Sequence, residues 1–173
     1  MVSTADSQAG WASRLFSFPN PVDERSARLV AGGVVLLSAA ALVTGESWLI
    51  AVIAYGFVAR VLTGPKLSPL GLLVTRLITP RLSGPPKFVP GPPKRFAQGM
   101  GATLTVAAAG LALGFGEDTA ANVLLVLVVL AATLESVFAL CIGCKIFALL
   151  MRAGVIPASV CESCNDLGLA SRP

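Results

Sequence analysis

The sequence contains no histidine. That removes imidazole metal ligands, bis-histidine haem and the commonest general base from the available chemistry. Charge is scarce too, at 13% of residues, where soluble domains carry about a quarter. Cysteine is absent until residue 141. What the chain has in quantity is apolar surface, with 55% hydrophobic residues and a mean hydropathy of +0.81 over 173 residues. One soluble core cannot hide that much, so the excess is expected to face lipid. The net charge of +4 does not point to nucleic acid, because the basic residues lie between hydrophobic stretches. An anionic bilayer surface is the expected partner for them.

Four stretches read as membrane-spanning helices: 27–44, 48–62, 97–115, and 119 to at least Cys141. A bilayer core takes about 20 apolar residues at about 1.5 Å rise each. The second stretch is short, and Arg60 at its end is expected to snorkel to the interface. The fold class predicted is an all-α, polytopic membrane protein. It divides into an N-terminal segment (1–26), a helical hairpin (27–62), a central segment (63–96), a second hairpin (97–151) and a tail (152–173).

All thirteen Lys and Arg residues fall before or at the start of the first span, at the end of the second span or in the central segment, or after the fourth. The two other connections carry only Glu46, Glu117 and Asp118. The positive-inside rule then puts both flanks in the cytoplasm. Phe18-Pro19-Asn20-Pro21 precedes the first span and reads as a helix start, with Asn20 as cap and Pro21 at the first helical position. Glu24 and Arg28 are spaced to pair. The first helix is read as a retained anchor and not a cleaved signal.

In the central segment Ser68-Pro69 opens another helix. Leu70, Leu73, Val74 and Leu77 recur at helical spacing with Thr75, Arg76 and Thr79 between them, which predicts an amphipathic helix on the cytoplasmic leaflet. Gly84-Pro85-Pro86-Lys87 then repeats as Gly91-Pro92-Pro93-Lys94. Both copies are expected to form a stiff, extended, basic linker. Gly32-Gly33 and the Gly110/Gly114 pair offer close helix approach, within the chain or in a homo-oligomer.

The chemistry gathers at Cys141-Ile142-Gly143-Cys144 and Cys161-Glu162-Ser163-Cys164. Cys141 comes about 33 Å along a helix begun at Thr119, near the cytoplasmic end of the span. A reducing compartment disfavours permanent disulfides there. Three readings stay open. The pairs can act as redox dithiols that pass electrons or sulfur through mixed disulfides, with Lys145 one helical turn on favouring a thiolate at Cys141. The four sulfurs can instead hold one zinc ion, since C-x2-C-x16-C-x2-C fits tetrahedral coordination. They can also be plain small apolar residues. No cofactor other than that zinc is suggested.

Glu135 lies inside the fourth apolar stretch. A carboxylate there is costly unless paired, protonated or near water. Arg60 is the expected partner, and transport centred on Glu135 is the third functional reading.

At Phe18 to Val22, Ala54-Tyr55-Gly56-Phe57, Gly91 to Phe96, and Leu134-Glu135-Ser136 through Lys145, the chain resembles a bacterial membrane family, the domain of unknown function 4395. The resemblance runs from about Phe18 to Cys164 and implies a bacterial inner membrane. It brings no catalytic residues. It implies an association with thioredoxin-like and sulfur-transfer proteins as partners.

Overall fold

The computed structural model describes residues 16–83, 85–161 and 164. Arg14 and Arg172, counted above for orientation, lie outside the described residues, as do Glu162 and Ser163. Of the described residues, 79% are helical. Helix α1 spans Glu24–Thr44 and α2 Ser47–Thr63. A 3-10 turn leads to α3 (Pro69–Leu72), which continues as a π-helical turn, Leu73–Ile78. Helix α4 (Gly91–Ala109) ends in a π-helical turn, Gly110–Phe115. Helix α5 spans Asp118–Phe138 and α6 Ile142–Arg152. Two short strands, β1 (Val22–Asp23) and β2 (Phe88–Val89), pair antiparallel.

Among the described residues, four helical segments are long and apolar enough to cross a bilayer: Glu24–Thr44, Ser47–Arg81, Gly91–Phe115 and Asp118–Phe138. This is the polytopic all-α membrane architecture that the composition predicts. Helix α1 packs chiefly on α5 and α2 on α4. Val34, Ile53, Ala108, Leu125 and Val128 form the middle of the shared core. At one end, Ser47 donates to Asp118 Oδ1 at 3.3 Å, joining the two acidic connections. At the other end lie the chemistry-bearing residues.

Several local expectations change. The cap of α1 is Asp23, whose side chain accepts from Arg25 N. Asn20 instead reaches across and accepts from Gly91 N at 3.0 Å, capping α4 from outside its own helix. Glu24 pairs with Lys87 at 2.6 Å and not with Arg28. Arg28 donates to the carbonyls of Ser136 and Val137. There a cation meets the negative end of α5, a favourable arrangement.

Ser68 caps α3 as expected, accepting from Gly71 N. The helix does not lie free on a surface, however. Ser68 and Val74 are buried, Leu70 fills the notch at Gly33, and Thr79 meets the hydroxyl of Ser26 at 2.9 Å. The segment therefore runs back along α1, with Leu73, Leu77, Arg76 and Arg81 on its exposed side.

The two Gly-Pro-Pro-Lys copies part company. Residues 85–87 are non-helical and lead into β2. Gly91-Pro92-Pro93-Lys94 is the first turn of α4. Proline is tolerated there because the first-turn amides have no intrahelical acceptor. Gly32 and Gly33 pack within the chain, whereas Gly110 and Gly114 face open space.

Candidate functional site

The fourth span stops before Cys141. Helix α5 ends at Phe138, and Ala139 takes a left-handed φ of 55°. After this turn Cys141 stands at the N-cap of α6, and Cys144 sits in its first turn. Helix α6 is held close to α4 at Gly143, where an added Cβ would lie 2.5 Å from the Cα of Ala97. Only glycine permits that approach. The two sulfurs are 2.8 Å apart, with the Cys144 thiol donating to Cys141. Cys141 is buried and Cys144 partly so.

Both cysteines lie beyond the end of the span. The hydrogen bond from Cys144 holds the Cys141 thiol below its ordinary value, with Lys94 helping, against burial and the Glu135 charge. Sharing its proton with Cys141, together with burial, pushes Cys144 well up. The N-terminus of α6 also favours negative charge at Cys141. The asymmetry suits an attacking thiol and a resolving one.

The cation beside this pair is Lys94. Lys145, expected in that role, is exposed on α6, while the Lys94 charge acts on both sulfurs. Lys94 is 8% exposed and its Nζ lies 2.6 Å from Glu135 Oε1. This replaces the Arg60–Glu135 pair expected from sequence. Arg60, 6% exposed, donates from Nε to Gln98 Oε1 at 2.9 Å and from Nη1 to Ser68 Oγ at 3.1 Å. Its guanidinium carbon lies 4.5 Å from the Phe57 ring centroid. Glu135 thus has the cationic company that its place in an apolar stretch calls for, but its ion-pair partner is Lys94, with Arg60 acting on it only through its charge.

A cavity of about 90 Å³ opens between α1, α2, α4 and α5 at this end. Arg60, Gln98, Glu135 and Cys141 supply its polar lining, and Val34, Leu104 and Val128 its apolar lining.

A family model described as a domain of unknown function, DUF4395, matches residues 22–152. The chain belongs to that family. No curated protein and no solved structure matches it. The DUF4395 match takes in Arg60, Lys94, Glu135 and Cys141–Cys144. It ends before Cys161, short of the range that the resemblance suggested.

The second pair is a separate feature. Cys161 and Cys164 are joined as a disulfide, against the expectation of reduced thiols. They pack on Phe147, with Phe96 and Met151 around them. The four sulfurs therefore form two pairs in different packing environments. Among the described residues, no group of three or more Cys, Asp or Glu could hold a metal ion. A four-sulfur zinc site would require the Cys161–Cys164 bond to be reduced and the two pairs to be brought together.

Lys94, Gln98 and Ser68 were missed as site residues from the sequence. The signal for Lys94 was present: a helical apolar pattern begins directly after it, so Pro92-Pro93 mark a helix start.

Proposed function

We propose that the chain is a bacterial inner-membrane dithiol protein whose Cys141–Cys144 pair exchanges electrons or sulfur with a soluble, thioredoxin-like protein. The observation that carries this reading is the 2.8 Å contact between the sulfurs at the start of α6, beside buried Lys94. The Cys141 thiolate attacks the partner's disulfide, forming a mixed disulfide and releasing one partner thiolate, which takes up a proton. Cys144 then loses its proton and attacks Cys141, and the partner leaves as a dithiol. Two electrons pass to the partner, and a Cys141–Cys144 disulfide remains.

The distribution of basic residues supports a cytoplasmic position for both flanks of the four-helix unit. The site then lies where soluble thiol proteins are found, and the Arg76–Arg81 side of the central segment meets anionic headgroups.

The test is trapping with purified protein in detergent. A Cys144→Ser chain should hold a thioredoxin-like protein as a mixed disulfide that reductant releases, and Cys141→Ser should hold none. Equal trapping by both variants would sink the reading. About one zinc per chain, with all four thiols protected until chelation, would replace it with a structural metal site.

A further inference from the structure

The Cys161–Cys164 bridge has no part in the dithiol step above. As a staple it does little. It joins residues three apart in sequence and ties no helix to another, and the stabilisation from closing a loop shrinks with loop length. In the reducing compartment proposed above, a bridge of this kind is usually catalytic or redox-sensing.

Its position is set by the end of α6. Gly154 takes a left-handed φ of 73°, and the amides of Val155 and Ile156 both donate to the Leu150 carbonyl. This turn reverses the chain. The tail then runs back along α6, so that Cys161 and Cys164 pack on Phe147 with Ile156 and Met151 beside them. Phe147 follows Cys144 by three residues, about 4.5 Å along the helix axis. Gly143 and Phe147 are both buried against the start of α4, Gly143 at Ala97 and Phe147 at Phe96, where the ring centroids are 5.6 Å apart. Bridge and dithiol thus sit at successive turns of one helix, and the returning tail leads from the first towards the second.

The two pairs also differ in redox state. Cys141 and Cys144 are free thiols, whereas Cys161 and Cys164 are oxidised. The hydrogen bond from Cys144, helped by Lys94, favours a thiolate at Cys141. A stabilised thiolate keeps electrons on its own pair. Electrons shared between the pairs therefore settle on Cys141 and Cys144, which is the distribution the structure has.

We propose that Cys161 and Cys164 form a second redox pair that recharges the first, passing two electrons within the chain from the tail to Cys141–Cys144. This rests on the dithiol reading above, in which Cys141 and Cys144 are left as a disulfide after delivering electrons to a soluble partner. A thiolate of the reduced tail attacks Cys144, the less buried sulfur, and Cys141 leaves as a thiolate. The other tail thiol loses its proton and attacks the first tail sulfur. Cys144 is released as a thiolate and takes up that proton. A Cys161–Cys164 disulfide and a Cys141–Cys144 dithiol result, the state the structure holds. A soluble dithiol, itself left as a disulfide, then reduces the tail again. The attack requires the tail to move by about one helical turn along α6, which a change of dihedrals at Gly154 supplies.

The experiment uses the full chain in detergent and approaches one disulfide per chain from both sides. Fully reduced chain receives one equivalent of diamide, and fully oxidised chain receives one equivalent of a phosphine reductant. Acid quenching, thiol blocking and peptide mapping locate the remaining disulfide. Both mixtures should converge, at a rate that dilution leaves unchanged, on Cys161–Cys164 over Cys141–Cys144 by at least about tenfold. Cys141→Ser combined with either Cys161→Ser or Cys164→Ser leaves one sulfur of each pair, and one of these two chains should form an intrachain disulfide through Cys144. Failure to converge, a disulfide that settles on Cys141–Cys144, or folded double variants that form no such bond overturns the proposal. If the variants do not fold, the unaltered chain decides alone. Convergence in a chain that traps no thioredoxin-like protein would keep the relay and remove the partner, and trapping without convergence would do the reverse.

Discussion

Lys94 and Glu135 meet three residues inside the ends of their helices, Lys94 at the start of α4 and Glu135 at the end of α5, with Nζ to Oε1 at 2.6 Å. A lysine in a first turn faces the positive end of the helix dipole, and a glutamate in a last turn faces the negative end. Each is misplaced on its own helix, and each is neutralised by the other. Lys94→Met or Glu135→Gln alone should therefore cost about 3–5 kcal/mol, because one buried charge is left without its partner. The double change Lys94→Met with Glu135→Leu should recover most of that loss. Reversible unfolding in mixed detergent micelles checks this, and additive single costs would show that the pair is not coupled.

The two Gly-Pro-Pro-Lys copies allow a comparison inside one chain. Lys87 also pairs with a glutamate at 2.6 Å, but its side chain is 72% exposed. Lys87→Ala should cost about 0–1 kcal/mol, while Lys94→Ala should cost about 3–5 kcal/mol. Equal losses in the two variants would mean that burial does not separate the copies.

That comparison also shows what was legible in the sequence. The four spans were readable because long apolar stretches need no tertiary information to be recognised. The cap at Ser68 was readable because Ser-Pro acts locally. The helix start at Lys94 was readable from the apolar pattern after it, but its burial against Glu135 was not, because identical tetrapeptides took different structures according to what followed them and what Asn20 could reach. Glu135 was rightly singled out, yet its partner depended on which helix end it met. Arg60 and Lys94 both come from elements near it, and distance along the chain does not choose between them. The break between Phe138 and Cys141 was hidden for a different reason: Ala139 adopts a left-handed φ without being glycine or asparagine, so no residue marked the turn.

Gly143 sets the distance between the dithiol and α4. Gly143→Ala places a Cβ within 2.5 Å of Ala97 Cα, and backbone cannot yield as a side-chain tip does. The expected cost is about 1–3 kcal/mol of overpacking strain. The same shift carries Cys141 away from Lys94, so Cys141 alkylation near neutral pH should slow. Thermal unfolding and alkylation rate, measured on one preparation, check both. A destabilised chain with an unchanged Cys141 rate would show that Lys94 does not assist the thiolate.

The pH dependence of Cys141 follows from its hydrogen bond. The thiolate is the nucleophile, and the Cys144 donor holds the Cys141 thiol below its ordinary value, so the alkylation rate should reach its plateau at lower pH than for a free cysteine. Cys144→Ala removes that donor, which raises the Cys141 value and moves the rise in rate to higher pH. Cys144 is pushed up by the same bond and by burial. In a Cys141→Ala chain, where the bond is gone, Cys144 should begin to react at lower pH than in the unaltered protein, with burial still holding it back. The measurement is the rate of iodoacetamide labelling at each cysteine across the pH range, with sites separated by peptide mapping. If Cys144→Ala leaves the Cys141 profile where it was, the sulfur–sulfur hydrogen bond does not activate Cys141, and Lys94 with the α6 N-terminus would have to account for the whole effect.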